Sequence, residues 1–144
     1  MSTVAPPRRL VPHYPRCFGC GPDSKQGLHA TACAVEREVH SGYTFGEEHS
    51  GIPGIAHGGL VATLIDDLCG HLPDVAERCA VTRHLAVAYL KPVLVGVRYD
   101  AVARVDADEG RKLFVSCEGR SPEGELTFRG DALFVVVNTA YFER

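Results

Sequence analysis

The apolar positions of this chain follow two different periods. Between residues 58 and 71 they recur at helical spacing: at about 100° per residue, Leu60, Val61, Leu64, Ile65 and Leu68 share one arc of about 140°. The opposite side carries Ala62, Thr63, Asp66, Cys69 and Gly70, mostly small residues that another backbone could approach closely. Gly70 and then Pro73 predict the end of this helix. From residue 81 onward the period is two. In 81–93, Val81, Leu85, Val87 and Tyr89 fall on one face, and Thr82, His84, Ala86 and Ala88 on the other. Segments 95–107, 111–119 and 125–138 follow with strand-like alternation. Asp108-Glu109-Gly110 and Ser121-Pro122-Glu123-Gly124 between them read as hairpin turns, and turns so short imply antiparallel neighbours.

Upstream the pattern is weaker. Residues 29–38 predict a strand, 39–45 a second short one, and 46–54 a loop. Residues 17–28 are rich in turn formers. Residues 1–16 hold four prolines and two adjacent arginines, which predicts an extended arm or a flexible tail ahead of one domain spanning 17–144. One long apolar helix and five or six antiparallel strands define an α+β domain, most simply a curved sheet wrapped round the helix. A single helix covers one sheet face. The uncovered face or an edge strand is then expected to meet a second copy of the chain.

Composition narrows the function. The chain has 144 residues, 45% hydrophobic and 23% charged, which is enough for one core. The net charge of −3 argues against nucleic acid as a partner. No apolar run reaches the roughly 20 residues that span a bilayer, and residues 1–16 lack the apolar stretch of a secretory signal. The expectation is a cytoplasmic protein with six reduced cysteines and no membrane partner.

Candidate chemistry concentrates in PGIAHGGLVATLIDDLCG, residues 53–70. His57-Gly58-Gly59 stands at the predicted helix start, where amides lack intrahelical acceptors and the dipole is positive. Glycine lets a ligand carbonyl come close, which suits an acyl oxyanion; a phosphate could use the same feature. Asp66 lies eight residues beyond Gly58, about 12 Å along the axis. One helix therefore cannot bring both to one reacting carbon, whereas two antiparallel helices from two chains could. Asp66 and Asp67 point about 100° apart. Asp66 faces the small-residue side, while Asp67 is expected to bond a neighbouring backbone or to face water.

HSGIPGIAHGGLVATLIDDLCG, with CFGCG-x(5)-GL upstream and T-x-x-L-x-V-x-Y-L-x-P downstream, resembles the hot-dog-fold acyl-CoA thioesterases of the phenylacetate-pathway (PaaI-like) branch. The similarity runs from about Cys17 to Val137. It implies that the Gly58 amide, with Gly59 nearby, polarises a thioester carbonyl. It implies that Asp66 of a partner subunit activates water or attacks the carbonyl, that Thr82 holds the water, and that His57 shapes the glycine turn or contacts the thioester. The implied substrate is an acyl-CoA or acyl-carrier-protein thioester, with coenzyme A entering only as part of the substrate. No metal and no other cofactor is implied, and the assembly is a homodimer or a dimer of dimers. Gly51 stands where some members carry Asn, and Arg83-His84 where an acid or amide is usual, so the acyl group is left open.

The remaining candidates divide between chemistry and packing. His84, sharing a face with Thr82, and Arg83 beside it are candidate substrate contacts. Cys17-x-x-Cys20 raises zinc or redox chemistry, but His13, His29 and Cys33 form no second recognisable pair, so a compact turn with a buried thiol is expected. Cys69, Cys79 and Cys117 read as packing residues. Arg83, Lys91, Arg98, Arg104 and Arg129 read as solvated, with one or two available to coenzyme A phosphates. Two rival functions share this fold: a module that binds acyl-CoA without cleaving it, and an enoyl-CoA hydratase or dehydratase using His57 and Asp66.

Overall fold

In a computed structural model, which describes residues 5–142, seven strands form one antiparallel sheet bent round a single helix. The strands are β1 (Arg8–Arg9), β2 (Cys33–Val35), β3 (Glu38–Thr44), β6 (Ala80–Tyr89), β7 (Arg98–Asp108), β8 (Lys112–Arg120) and β9 (Leu126–Val136), in spatial order β1-β2-β3-β7-β8-β9-β6. A separate hairpin, β4 (Ser50–Ile52) and β5 (Ile55–Ala56), leads into α1 (Gly58–Val75). The expected wrap of sheet round helix is what forms.

The period-two segments make strands because alternation lets one face bury while the other is solvated. Tyr99, Ala101 and Ala103 of β7, Leu113, Val115 and Cys117 of β8, and Phe128, Ala132 and Phe134 of β9 are buried toward α1. They meet Val61, Leu64, Ile65, Leu68 and Leu72 of the helix. The outer face is charged and paired: Arg104 with Glu38, Arg129 with Glu118 and Asp131, Arg120 with Glu118. Such exposed pairs add little stability, but they make that face a solvated one. The edge strand β6 is different. Among the described strands it pairs with β9 alone, and it is mostly exposed, with Val81 at 40%, Tyr89 at 50% and Leu90, just past its end, at 53%.

Four sequence expectations change. Residues 29–45 form not a long strand and a short one but β2 and β3, joined by a tight turn with Glu36 at φ 56°. Residues 46–54 are not plain loop: a 3-10 turn at Glu47–His49 precedes the β4–β5 hairpin, whose turn places Gly54 at φ 81°. The helix does not stop near Gly70. Pro73 lies inside its last turn, and the true stop is a Schellman closure, with Arg78 N–H bonding Pro73 C=O and Glu77 N–H bonding Asp74 C=O. Glu77 takes the left-handed position, φ 58°, where glycine is usual, so the stop carried no sequence mark. Cys69 is not on an open small-residue face either; it is fully buried toward the sheet with Cys117. The segment ahead of residue 17 joins the sheet at β1, and Leu10 N–H bonds Ala32 C=O. Residues 1–4 of that segment lie outside those described.

Candidate active site

The arch before α1 fixes where the helix begins. His49 is buried edge-on against Phe45, and its Nδ1 accepts the Gly46 N–H at 2.9 Å. Its carbonyl accepts the His57 N–H at 2.7 Å, while Val93 C=O takes the Ala56 N–H. His57 is then the helix cap: with φ −61° and ψ 129° it turns Nδ1 onto the Gly59 N–H at 2.9 Å. No Ser, Asp or Asn is present to do this. Gly59 is thereby occupied, and the Gly58 N–H remains as the first-turn amide without an intrahelical acceptor. Tyr89, near the far end of β6, donates its hydroxyl to Gly58 C=O at 2.6 Å. Burial raises the pKa of that hydroxyl, which keeps it a donor.

Asp66, half-buried two turns further on, accepts the Thr82 hydroxyl on Oδ1 at 2.7 Å. The two residues singled out from sequence are therefore in direct contact, with Thr82 orienting the carboxylate itself. Gly58 and Asp66 lie on one unbroken helix, so the estimated 12 Å between them stands within a single chain. Beside the helix start, Leu60 edges a groove of about 770 Å³ bounded by Phe18, Lys25, Tyr43 and His49.

His84 does not share a face with Thr82. In the pairing of β6 with β9, Thr82 lies opposite Phe134 and His84 opposite Leu133, so Arg83 is an extra residue in β6. A bulge of one residue exchanges the faces of everything beyond it. Thr82 thus joins Leu85, Val87 and Tyr89 toward α1, while His84, Ala86 and Ala88 face outward. Arg83 and His84 are exposed and, among the described residues, neither forms an ion pair with Asp66. Lys91, Arg98, Arg104 and Arg129 each pair with a carboxylate.

Asp67 is buried rather than solvent-facing, and among the described residues its partners are side chains. It points into the N-terminal turn, where His13, Cys17 and Cys20 surround it. Burial opposes charge on both His13 and Asp67. Their mutual hydrogen bond outweighs it, raising His13 to about 11 and holding Asp67 below the usual carboxylate range. The turn at Cys17–Cys20 is compact with Cys20 buried, as expected; its closeness to a helix carboxylate 47 positions on was not visible in spacing. His13 also lies over Gly70, so the arm of the same chain, and no partner helix, occupies that part of the small-residue stripe. Tyr89 was missed as a site residue, although it stood inside the downstream motif.

Comparison with known proteins agrees with this geometry. The sequence pattern of the thioesterase superfamily matches residues 53–128, more than half of the chain. Acyl-coenzyme A thioesterase THEM4 of Mus musculus is 36% identical over 102 residues, covering 70% of this chain and 44% of its own length. The chain spans less than half the length of the curated relatives it matches. Among solved structures, the E. coli PaaI protein from the phenylacetic acid degradation operon superposes with a TM-score of 0.72 at 15% identity, covering 77% of this chain and 81% of that one. Smu.793 from Streptococcus mutans UA159, solved bound to acetyl CoA, gives a TM-score of 0.68 at 21% identity, covering 70% and 82%. The architecture is the hot-dog fold.

Proposed function

We propose that this chain, which belongs to the thioesterase superfamily, hydrolyses an acyl-CoA or acyl-carrier-protein thioester at sites shared between two subunits. The observation that carries the reading is the Thr82–Asp66 hydrogen bond, set on the same helix as the Gly58 amide but about 12 Å from it. In this reading each chain supplies one half of two sites and takes the complement from another chain.

The β6 edge suits that complement. Near its start β6 carries Thr82, in contact with Asp66; at its end it carries Tyr89, in contact with Gly58. Antiparallel pairing of β6 with its own copy, about a two-fold axis near Leu85 and Ala86, would set one subunit's Thr82–Asp66 end beside the other's Tyr89–Gly58 end. The exposed apolar side chains Val81, Tyr89 and Leu90 would be covered by the same pairing.

In this arrangement the thioester carbonyl accepts the Gly58 N–H, which stabilises the oxyanion as it forms. Asp66 of the partner takes a proton from the attacking water and passes it to the departing thiolate, or it attacks the carbonyl itself, expels the thiolate and forms a mixed anhydride that water then hydrolyses. Thr82 fixes the carboxylate; His57 holds the glycine turn, and its cap is a contribution to position.

Thiol release across a panel of coenzyme A and carrier-protein thioesters tests the reading. Asp66→Asn, nearly isosteric and half-exposed, is expected to fold normally and to lose most turnover. Near-normal hydrolysis by Asp66→Asn removes the assignment. Tight acyl-CoA binding by wild type with no thiol release makes the protein a binding module. Loss of enoyl absorbance on an enoyl-CoA identifies a hydratase.

A further inference from the structure

We propose that His13, Cys17, Cys20 and Asp67 hold a zinc ion, which fastens the N-terminal segment to α1. One ligand atom from each of the four residues lies within 4.8 Å of the other three. His13 Nδ1 is 3.2 Å from Asp67 Oδ1, 3.2 Å from Cys20 Sγ and 4.0 Å from Cys17 Sγ; Cys17 Sγ is 3.4 Å from Asp67 Oδ1. A tetrahedron with zinc–sulfur bonds of about 2.3 Å and zinc–nitrogen or zinc–oxygen bonds of about 2.0 Å has edges of roughly 3.3–3.8 Å. Four of the six donor–donor distances, at 3.2–4.0 Å, lie close to these edges, and the other two are within 4.8 Å. Two thiolates, an imidazole and one carboxylate are a zinc set by softness and by geometry.

The surroundings support the same reading. The His13 backbone N–H donates to Cys20 Sγ at 3.3 Å. A Cβ at Gly19 would overlap the Asp67 carboxylate, and one at Gly21 would overlap the Cys17 backbone, so C-F-G-C-G needs its glycines to close round the carboxylate. The Asp67 side chain is 4% exposed, and its Oδ2 has no hydrogen-bond partner among the described residues. His71 stacks on His13 with ring centroids 3.9 Å apart and places Nε2 3.7 Å from that same Oδ2, the place of an outer group that steadies a ligand carboxylate. Binding releases three protons to solvent, one from each thiol and one from Nδ1 of the His13 imidazolium, and leaves His13 neutral with its Nε2 carrying the proton. Four protein ligands leave no open position, so the ion is structural. It joins residues 13–20 to the helix at the position next to Asp66. This inference does not depend on the proposed hydrolysis.

The test measures metal content on the full chain. Wild type grown and purified with zinc is expected to retain about one equivalent per chain after gel filtration. Cys17→Ser, Cys20→Ser and Asp67→Asn are expected to lose at least about tenfold in zinc content, with Cys79→Ser retaining it. Cobalt in place of zinc should give a thiolate charge-transfer band that disappears in Cys20→Ser. Should the serine variants fail to fold, chelation of wild type provides the second measurement: zinc is released, Cys17 and Cys20 become reactive to a thiol reagent, and the melting midpoint drops until zinc is restored. Wild type that holds no zinc and shows no cobalt–thiolate band overturns the proposal. So does a zinc content that is indifferent to Cys17 and Cys20. The cluster is then a His13–Asp67 ion pair beside two thiols.

Discussion

Thr82→Val isolates the contact on which the proposed chemistry rests. Valine keeps the β-branched shape and strand preference of threonine but cannot donate. Thr82 is exposed, so the exchange leaves the core untouched and the melting midpoint close to that of wild type. What disappears is a hydrogen bond of 2.7 Å from a neutral hydroxyl to a carboxylate. A bond to a charged group is worth about 1.5–3 kcal/mol, and the half-exposed setting of Asp66 favours the lower end. If all of that loss falls on positioning Asp66 for the transition state, 1.5 kcal/mol is about a tenfold fall in rate. The assay is steady-state thiol release with the best acyl thioester of the panel. The expected split is a lower kcat with KM nearly unchanged, since Thr82 is placed against the carboxylate rather than the acyl chain. Thr82→Ser restores the donor and should recover most of the activity. A valine enzyme with wild-type kcat, or a serine enzyme no better than valine, refutes the positioning role.

Three further outcomes follow from other parts of the molecule. Ala86→Glu, near the centre of the free edge of β6 and opposite Asp131, places two carboxylates across the proposed two-fold axis; monomer by light scattering and loss of hydrolysis are expected together. A dimer that survives with full activity removes β6 as the interface. Glu77→Gly relieves a left-handed residue at the helix stop and should stabilise the fold by about 1 kcal/mol, roughly 3 °C in melting midpoint, and an unchanged or lower midpoint refutes that. Burial, and secondarily the charge of Glu48, raises Tyr43 from 10.0 to about 12. Its neutral hydroxyl, bonded to Leu28 C=O, therefore contributes stability that is complete below about pH 10 and is lost as pH rises through about 12. Alkaline absorbance titration should show a late phase that is missing in Tyr43→Phe; an identical titration in both proteins rules it out.

The amino-acid sequence alone determined the helix core Leu60–Leu68, the alternation of β7 to β9 and of β6 beyond its bulge, and the two hairpin turns between β7, β8 and β9. Each depends on a period or a turn chemistry confined to a short stretch of chain, and such signals survive without knowledge of the fold. That Gly58 and Asp66 cannot meet within one chain was legible too, because helix rise alone sets them about 12 Å apart.

Other features were decided by tertiary structure. The bulge at Arg83 reverses the faces of Thr82 and His84, and a bulge is set by the partner strand, here β9, rather than by its own residues. The helix runs through Pro73 because carbonyls near its end are satisfied by Glu77 and Arg78, which no local propensity announces. Tyr89 reaches Gly58 across 31 positions, and Asp67 reaches Cys17 across 50. Spacing in sequence carries no information at such separations. The sheet wraps α1 and brings those side chains together because burying the apolar faces of both leaves few other places for their polar groups to go.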